Sequence, residues 1–388
     1  MKEMAFQLFN SASRKKEVFR PLGGKTVKIY VCGITPYDTT HLGHAFTYVS
    51  FDVLIRYLGF MGFRVIYTQN VTDIDDDILR KAGEEGTGWE KLGDRWTRRY
   101  LADMKSLNML KPDHYVKATD SIPMIIRIVD SLRKKGFAYE NGGNVYFDVS
   151  LFKGYGKLSN FNHRQMMLLL KERGGNPDDP NKRNPLDFVL WQGWKKGEPY
   201  WETPWGRGRP GWHIECSAMI RQYLGEQIDI HGGGRDLIFP HHESEIAQSE
   251  SFTGKAPFAK YFAHTGMVMH MGEKMAKSLG NLILISDLLK EYSPNAIRWM
   301  LLSHHYRRVW EFDRDELAEA EKIAGGACRS AKASGNGRIR KSLLQEFAAL
   351  MDDDLDTPNA LELIEEAAEN KENGRTVRLM MKTMGFIL

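Results

Sequence analysis

Cysteine is scarce in this sequence: 388 residues contain three. Three thiols cannot build a disulfide framework, so metal binding or catalysis is the better use to look for. Long apolar runs are missing too. None approaches the roughly 18 residues that span a bilayer, and mean hydropathy is −0.44. The opening residues, MKEMAFQLFNSASRKK, lack a signal peptide's apolar core. A cytoplasmic protein without a membrane partner is expected. Charge of one sign is also in short supply, with a net of +4. That is too little to declare a nucleic-acid partner. Residues 291–388 hold 14 Lys+Arg against 17 Asp+Glu, leaving 40 against 33 elsewhere. The basic excess therefore lies upstream of an acidic tail. There is no internal repeat and no low-complexity tract.

What is present is ordinary globular material, 42% hydrophobic, long enough for two or three domains. KTVKIYVCG (25–33) reads as a buried strand ended by Gly33. A helix follows over about 41–60, with Val49, Val53, Leu54 and Leu58 at helical spacing. FRVIYTQNV (63–71) is a second strand, and Thr72-Asp73 resembles an N-cap for the next helix. Strand, helix, strand is the grammar of a parallel α/β sheet. The block 110–205 changes character, with short strands (144–150) and a polar loop, KERGGNPDDPNKRNPLD (171–187), expected to be irregular and exposed. The sheet resumes at IDIHGGG (228–234) and continues to FAHTGMV (262–268), and the pattern beyond about 284 is helical. The expected division is 1–109 and 206–283 as two halves of one catalytic domain, 110–205 as an insertion, and 284–388 as a helical bundle.

Two motifs suggest nucleotide chemistry. His41-Leu42-Gly43-His44 opens the first helix. Residues three apart share a helix face, and a helix start favours phosphate. Imidazoles there can steady charge building on a phosphate; the alternative is two solvated histidines. Lys274-Met275-Ala276-Lys277-Ser278 lies in a Gly-flanked loop. Its two ammonium groups suit a migrating pyrophosphate; the alternative is a basic surface loop.

A third set suggests a metal. Cys32 ends the first strand, Cys216 lies in PGWHIECSAM, and His241 and Glu245 are four apart in PHHESEIAQ. Two thiolates, one imidazole and one carboxylate make a tetrahedral zinc set; two structural cysteines beside a surface His/Glu pair are the alternative. Zinc with soft ligands could take up a substrate thiol directly. The glycines of His231-Gly232-Gly233-Gly234 could let a ligand approach the backbone, or make a plain turn. TDIDDD (72–77) reads as an acid-rich helix start rather than a magnesium site, Cys328 as a packed small residue, and RIRK (338–341) as a solvated patch.

With these residues in hand, the chain resembles the cysteinyl-tRNA synthetase superfamily over nearly its whole length. The tetrapeptide is of its HIGH type, and the lysine loop of its KMSKS type, with Ala276 in place of the usual first serine. The resemblance implies a class I Rossmann-type parallel sheet with an inserted subdomain and a C-terminal helical bundle. It implies cysteinyl-adenylate formation from ATP with Mg²⁺, and one zinc gripping the substrate thiol. Carried over, Cys32, Cys216, His241 and Glu245 are metal ligands, and His41, His44, Lys274 and Lys277 are catalytic. Gly43, Gly232, Gly233, Gly234, Asp236, Met267 and Val268 fall at the nucleotide. Thr72, Trp212 and His231 fall around the cysteine side chain. Within the superfamily, the 171–187 loop, the absence of Arg after the tetrapeptide, and the short acidic tail resemble the mycothiol cysteine ligase. A small amine acceptor, glucosaminyl-inositol, is thus the favoured expectation, with tRNA as the alternative. Glu245, His231 and GWHIECSAM pull towards the synthetase. A non-catalytic binding module is a minor alternative. The chain is expected to act as a monomer or homodimer.

Overall fold

The structure, a computed structural model, describes residues 5–37, 40–275, 279–333 and 338–388. It begins with a hairpin, β1 (Gln7–Asn10) against β2 (Lys15–Val18). Two strand–helix units follow: β3 (Thr26–Ile34), α1 (Leu42–Phe60), β4 (Arg64–Val71), then α2 (Asp76–Glu85) and α3 (Trp89–Ser106), leading to β5 (His114–Lys117). Strand β3 is mostly buried, which is why it reads as an apolar run rather than an alternating one. Val49, Val53, Leu54 and Leu58 of α1 are all buried, as their spacing requires. The N-cap of α2 is Asp75, not Thr72-Asp73. The Asp75 carboxylate accepts from the Asp77 N–H at 2.8 Å. Asp73 turns instead to Thr119, accepting from its N–H and hydroxyl. The acids of TDIDDD thus serve a helix start and a neighbouring turn.

Next comes α4 (Ile122–Lys134) with an antiparallel sheet of β6 (Ala138–Asn141), β7 (Asn144–Phe147), β8 (Phe188–Gly193) and β9 (Gly208–Pro210). Helix α5 (His163–Glu172) sits between β7 and β8, started by an Asn162/Gln165 capping box. Its apolar residues, including Ile125, Val129, Phe147, Phe188 and Trp191, share one core with Ile214, Ala218 and Ala247 further along the chain. The loop after α5 is irregular, as expected, but its end is not exposed. Asp187 is fully buried and accepts from the Tyr139 hydroxyl (2.7 Å) and from the Val149 and Asn184 N–H groups (3.0 Å each). The conspicuous polar residues there build the subdomain itself.

Helix α6 (Trp212–Tyr223) leads back to β10 (Ile228–Gly234), α7 (His241–Thr253) and β11 (Ala259–Thr265). The main sheet has the order β11-β10-β3-β4-β5, with every neighbouring pair parallel. This is the Rossmann-type parallel architecture expected from the sequence. Strand order reverses between β3 and β10, so a crevice for ligands is expected at their carboxyl ends. Beyond the sheet, β12 (Val268–His270) pairs with β13 (Glu273–Lys274) and with β14 (Trp310–Glu311). Helices α8 (Ile285–Glu291), α9 (Pro294–Leu302), α10 (Arg314–Lys332), α11 (Lys341–Asp352), α12 (Thr357–Glu369) and α13 (Gly374–Thr383) form the C-terminal bundle. The expected all-helical tail is thus interrupted by β14. Among the described residues no helix is long and apolar enough to cross a membrane.

A buried ion pair fastens the bundle to the sheet. Arg298 of α9 donates to Asp52 of α1, to the Leu107 carbonyl after α3 (2.9 Å) and to the Met384 carbonyl after α13 (2.9 Å). Asp52 also accepts from Arg56 (2.9 Å) and from the Leu110 N–H (2.8 Å). Removing one charge strands the other without water. Asp52→Asn is expected to cost about 3–5 kcal/mol. Urea unfolding checks this, and an unchanged midpoint would remove the pair from the list of stabilising contacts.

Candidate active site

The first group of side chains lies at the strand-order reversal. Register between β3 and β4 breaks between Val31 and Ile34. Gly33 sits in that break, where a Cβ would overlap the Asn70 carbonyl, and its N–H donates to the Asn70 side chain at 2.7 Å. Cys32 is the residue next to this irregularity. Its sulfur lies 3.9 Å from Glu245 Oε1 and 3.3 Å from His242 Nε2. Cys32, Cys216, His241 and Glu245 place one ligating atom each within 4.8 Å of one another, and all four are buried. The i,i+4 spacing puts His241 Nε2 3.0 Å from Glu245 Oε1. The other Glu245 oxygen meets His231 Nε2 at 2.9 Å.

Protons are divided unusually in this cluster. Burial alone would raise the Glu245 carboxyl, but His231 and His241 bring it down to about 2. Burial would lower His241, but Glu245 and Cys216 lift it to about 10. Cys216 is raised by burial, yet its hydrogen bond with Cys32 and the charge of His241 bring it to about 6. Cys32 is pushed well above the usual thiol range, by burial first and then by Cys216. The surroundings thus favour a Cys216 thiolate and a Glu245 carboxylate beside the His241 imidazolium, two negative charges against that positive one. A divalent cation fits that deficit, and two sulfurs with one imidazole are soft donors suited to zinc. A second set, Cys32, His231, His242 and Glu245, is equally compact. It offers one sulfur instead of two. The two-thiol set is therefore the better ligand set, with the remaining histidines around it.

Trp212 flanks this set. Its ring stacks on His241 with centroids 4.4 Å apart and planes 20° apart. His213 Nδ1 lies 3.0 Å from His241 Nδ1. Thr72 is buried, 3.2 Å from the Asn70 amide nitrogen. The buried Glu215 beside it is pushed well above the usual carboxylate range, by burial first and then by Cys216.

The second group lies at the start of α1. His41 is the N-cap, its Nδ1 accepting from the Gly43 N–H at 3.1 Å. The His41 and His44 rings are 3.8 Å apart, as their spacing implies. Burial and then the charge of Lys274 lower His44 to about 4. It is neutral at pH 7, and among the described residues its buried Nδ1 has no hydrogen-bond partner. Lys274 Nζ lies 3.2 Å from Asp236 Oδ2. Two positions carried to the nucleotide by resemblance thus meet in space. Ala276 and Lys277 lie outside the described residues.

The glycines between the groups are closely packed. A Cβ on Gly232 would overlap the Phe51 ring of α1, and one on Gly233 would crowd Leu237 and His242. One on Gly234 would meet the Asp236 carboxylate. On the side where a Cβ would stand, these glycines admit neighbouring side chains. Val268 is buried in the main core, and the Met267 carbonyl accepts from the Trp310 N–H at 3.2 Å. That pair forms the base of the lysine loop. His213, Glu215, His242 and His264 were missed from sequence. The adjacent His241-His242 pair, and a histidine in each of GWHIEC and FAHTG, are the signals that could have found three of them.

The tRNA synthetase class I (C) catalytic-domain family model matches residues 18–322. The chain belongs to the cysteinyl-tRNA synthetase superfamily of class I. Proteins similar to it include the Cysteine--tRNA ligase of Dehalococcoides mccartyi, 48% identical over 92% of this chain and 79% of that one. The Cysteine--tRNA ligase of Legionella pneumophila is 46% identical over 98% of this chain and 84% of that one. Among solved structures, Mycobacterium tuberculosis methionyl-tRNA synthetase with methionyl-adenylate superposes with a TM-score of 0.66 at 15% identity, covering 93% of this chain and 89% of that one. That likeness concerns fold. Superfamily membership makes the chain an ATP-dependent ligase.

The Phe51–Gly232 contact gives a test of the site's packing. Gly232→Ala is expected to destabilise the fold by about 1–3 kcal/mol through overpacking. In a Phe51→Ala background the same change should cost much less, because the obstructing ring is gone. Unfolding midpoints of the four proteins measure this, and strict additivity would contradict it.

Proposed function

We propose that this chain activates cysteine with ATP and transfers the cysteinyl group to tRNA. The buried set of Cys32, Cys216, His241 and Glu245 at the strand-order reversal, walled by Trp212, carries the reading of a small thiol substrate. Zinc held by those four residues would supply a Lewis acid that takes the thiol as thiolate. Serine, with a harder and less acidic hydroxyl, is a poor match for such a site.

The residues then divide the work. Trp212 and Thr72 line the cysteine side chain. The cysteine carboxylate attacks the ATP α-phosphate. His44, neutral and with a buried nitrogen unpaired, donates a hydrogen bond to the oxygens gaining charge there, and His41 sits against it. Lys274, with Lys277 and Mg²⁺, draws off pyrophosphate, Asp236 holding the Lys274 ammonium until ATP arrives. The 3′-terminal hydroxyl of tRNA attacks the adenylate carbonyl and AMP leaves.

Support for tRNA as acceptor comes from relatives named Cysteine--tRNA ligase that align across nearly the whole chain. The small amine expected from the 171–187 loop gains no support. Asp187 knits that loop into the inserted subdomain, and Arg173 anchors α5 to the carbonyls of Asp236 and Phe239. These contacts make the loop a brace on the site. The division into a split catalytic domain, an insertion and a helical tail belongs to the same proposal.

Two measurements test it. Labelled cysteine, ATP and Mg²⁺ offered with cognate tRNA or with glucosaminyl-inositol should yield acid-precipitable tRNA and no amide; the reverse would restore the amine reading. Cys216→Ser should strip zinc from about one per chain towards zero by elemental analysis and raise the cysteine KM by about tenfold or more. Full activity without zinc would sink the scheme.

A further inference from the structure

The segment MDDDLDTPNA (351–360) joins α11 to α12, and the chemistry above leaves it without a role. At its centre Asp354 and Leu355 have φ of 61° and 57°. Two successive non-glycine residues in the left-handed region persist when surrounding contacts hold them there. The Asp354 carboxylate is fully buried and crowded with donors. One oxygen accepts from the Phe9 N–H and the Tyr306 hydroxyl, both at 2.7 Å. The other accepts from Arg307 Nε at 2.7 Å, with Arg307 Nη2 also 2.7 Å away. The Asp354 N–H donates to the Gln7 carbonyl at 3.1 Å. One side chain thus ties the bundle to β1 and to the turn after α9.

That turn holds the base of the lysine loop. The Tyr306 carbonyl accepts from the Gly266 N–H at 2.7 Å, and a Cβ on Gly266 would overlap the Arg308 carbonyl. Past the turn, Trp310 and Glu311 of β14 pair with Val268 and Met269 of β12, and Met269 pairs with Lys274 of β13. The Gly272 N–H donates to the Glu311 carboxylate at 3.1 Å. Lys274 therefore sits at one edge of a three-stranded sheet whose other edge starts just past the residues Asp354 grips. Lys274 itself is more than half exposed, and its Asp236 partner is also solvated. Its placement thus depends on its backbone.

We propose that Asp354 is a positioning residue for Lys274, acting through Tyr306, Arg307 and the β14–β12–β13 ladder. This rests on the cysteine-activating reading of the site. The experiment uses the full-length zinc-loaded protein and ATP–pyrophosphate exchange with cysteine. Asp354→Asn keeps the side-chain shape and removes the charge that holds Arg307. Exchange kcat should fall about tenfold or more, because small displacements of a transition-state group are costly. Zinc content and cysteine KM should stay unchanged. In a Lys274→Ala background the same substitution should lower the rate by less than about twofold, since the group being placed is gone. An equal fall in both backgrounds, or no fall in the first, overturns the proposal. Tyr306→Phe, which deletes one hydrogen bond and keeps the ring, should show the same pattern with a smaller fall, and decides the matter if Asp354→Asn does not fold. If the parent protein exchanges no pyrophosphate with cysteine, the functional reading fails first, before any variant is compared, and the positioning role falls with it.

Discussion

A carboxylate and two thiols share one dry space at the crevice of the parallel sheet. Isolated anions in such a space are prohibitively costly, so each must be protonated, paired or bound to a cation. Glu245 meets that constraint by facing two histidines at once, His231 through one oxygen and His241 through the other. Cys32 and Cys216 share their hydrogen bond beside them. The rest of the local fold serves this arrangement. The break in β3 register at Gly33 adjoins Cys32, the first two turns of α7 supply His241 and Glu245 on one face, and α6 brings Trp212 and Cys216 from across the inserted subdomain.

The same economy links distant parts of the chain. Glycines 232 to 234 look like a ligand cradle in sequence, yet in space Gly232 admits Phe51 and so lets α1 close onto β10. That contact sets how near the helix bearing His41 and His44 comes to the strand bearing His231. The bundle is joined to α1 through Arg298 and Asp52, and to the lysine loop through Asp354. Both links are buried carboxylates with several donors, which hold geometry more firmly than solvated pairs do.

Much of this was legible in the sequence because it follows from local periodicity or fixed spacing. The buried runs of β3 and β4, the apolar face of α1, the His41/His44 pairing and the i,i+4 contact of His241 with Glu245 are of that kind. The N-cap of α2 falls two residues beyond Asp73 because TDIDDD offers several acids, and tertiary contacts choose among them: Asp73 is taken by Thr119, leaving Asp75 to cap. The histidines behind the metal set were not legible, since His213, His242 and His264 lie on separate elements and meet only through sheet order. Nor was the packing of Gly232, which depends on the Phe51 ring arriving from α1. The acceptor is not legible in the 171–187 loop, because residues there such as Asp187 make contacts internal to the subdomain.

The central claim is that the two-thiol cluster is a metal site that takes the thiol of cysteine as a further ligand. Cobalt(II) in place of zinc makes this visible, because each bound thiolate adds to the near-ultraviolet sulfur-to-metal absorption. The account predicts thiolate bands in the cobalt protein, a further rise in them on adding cysteine, and no change on adding serine. A cobalt protein without thiolate bands, or one whose spectrum ignores cysteine, would contradict it.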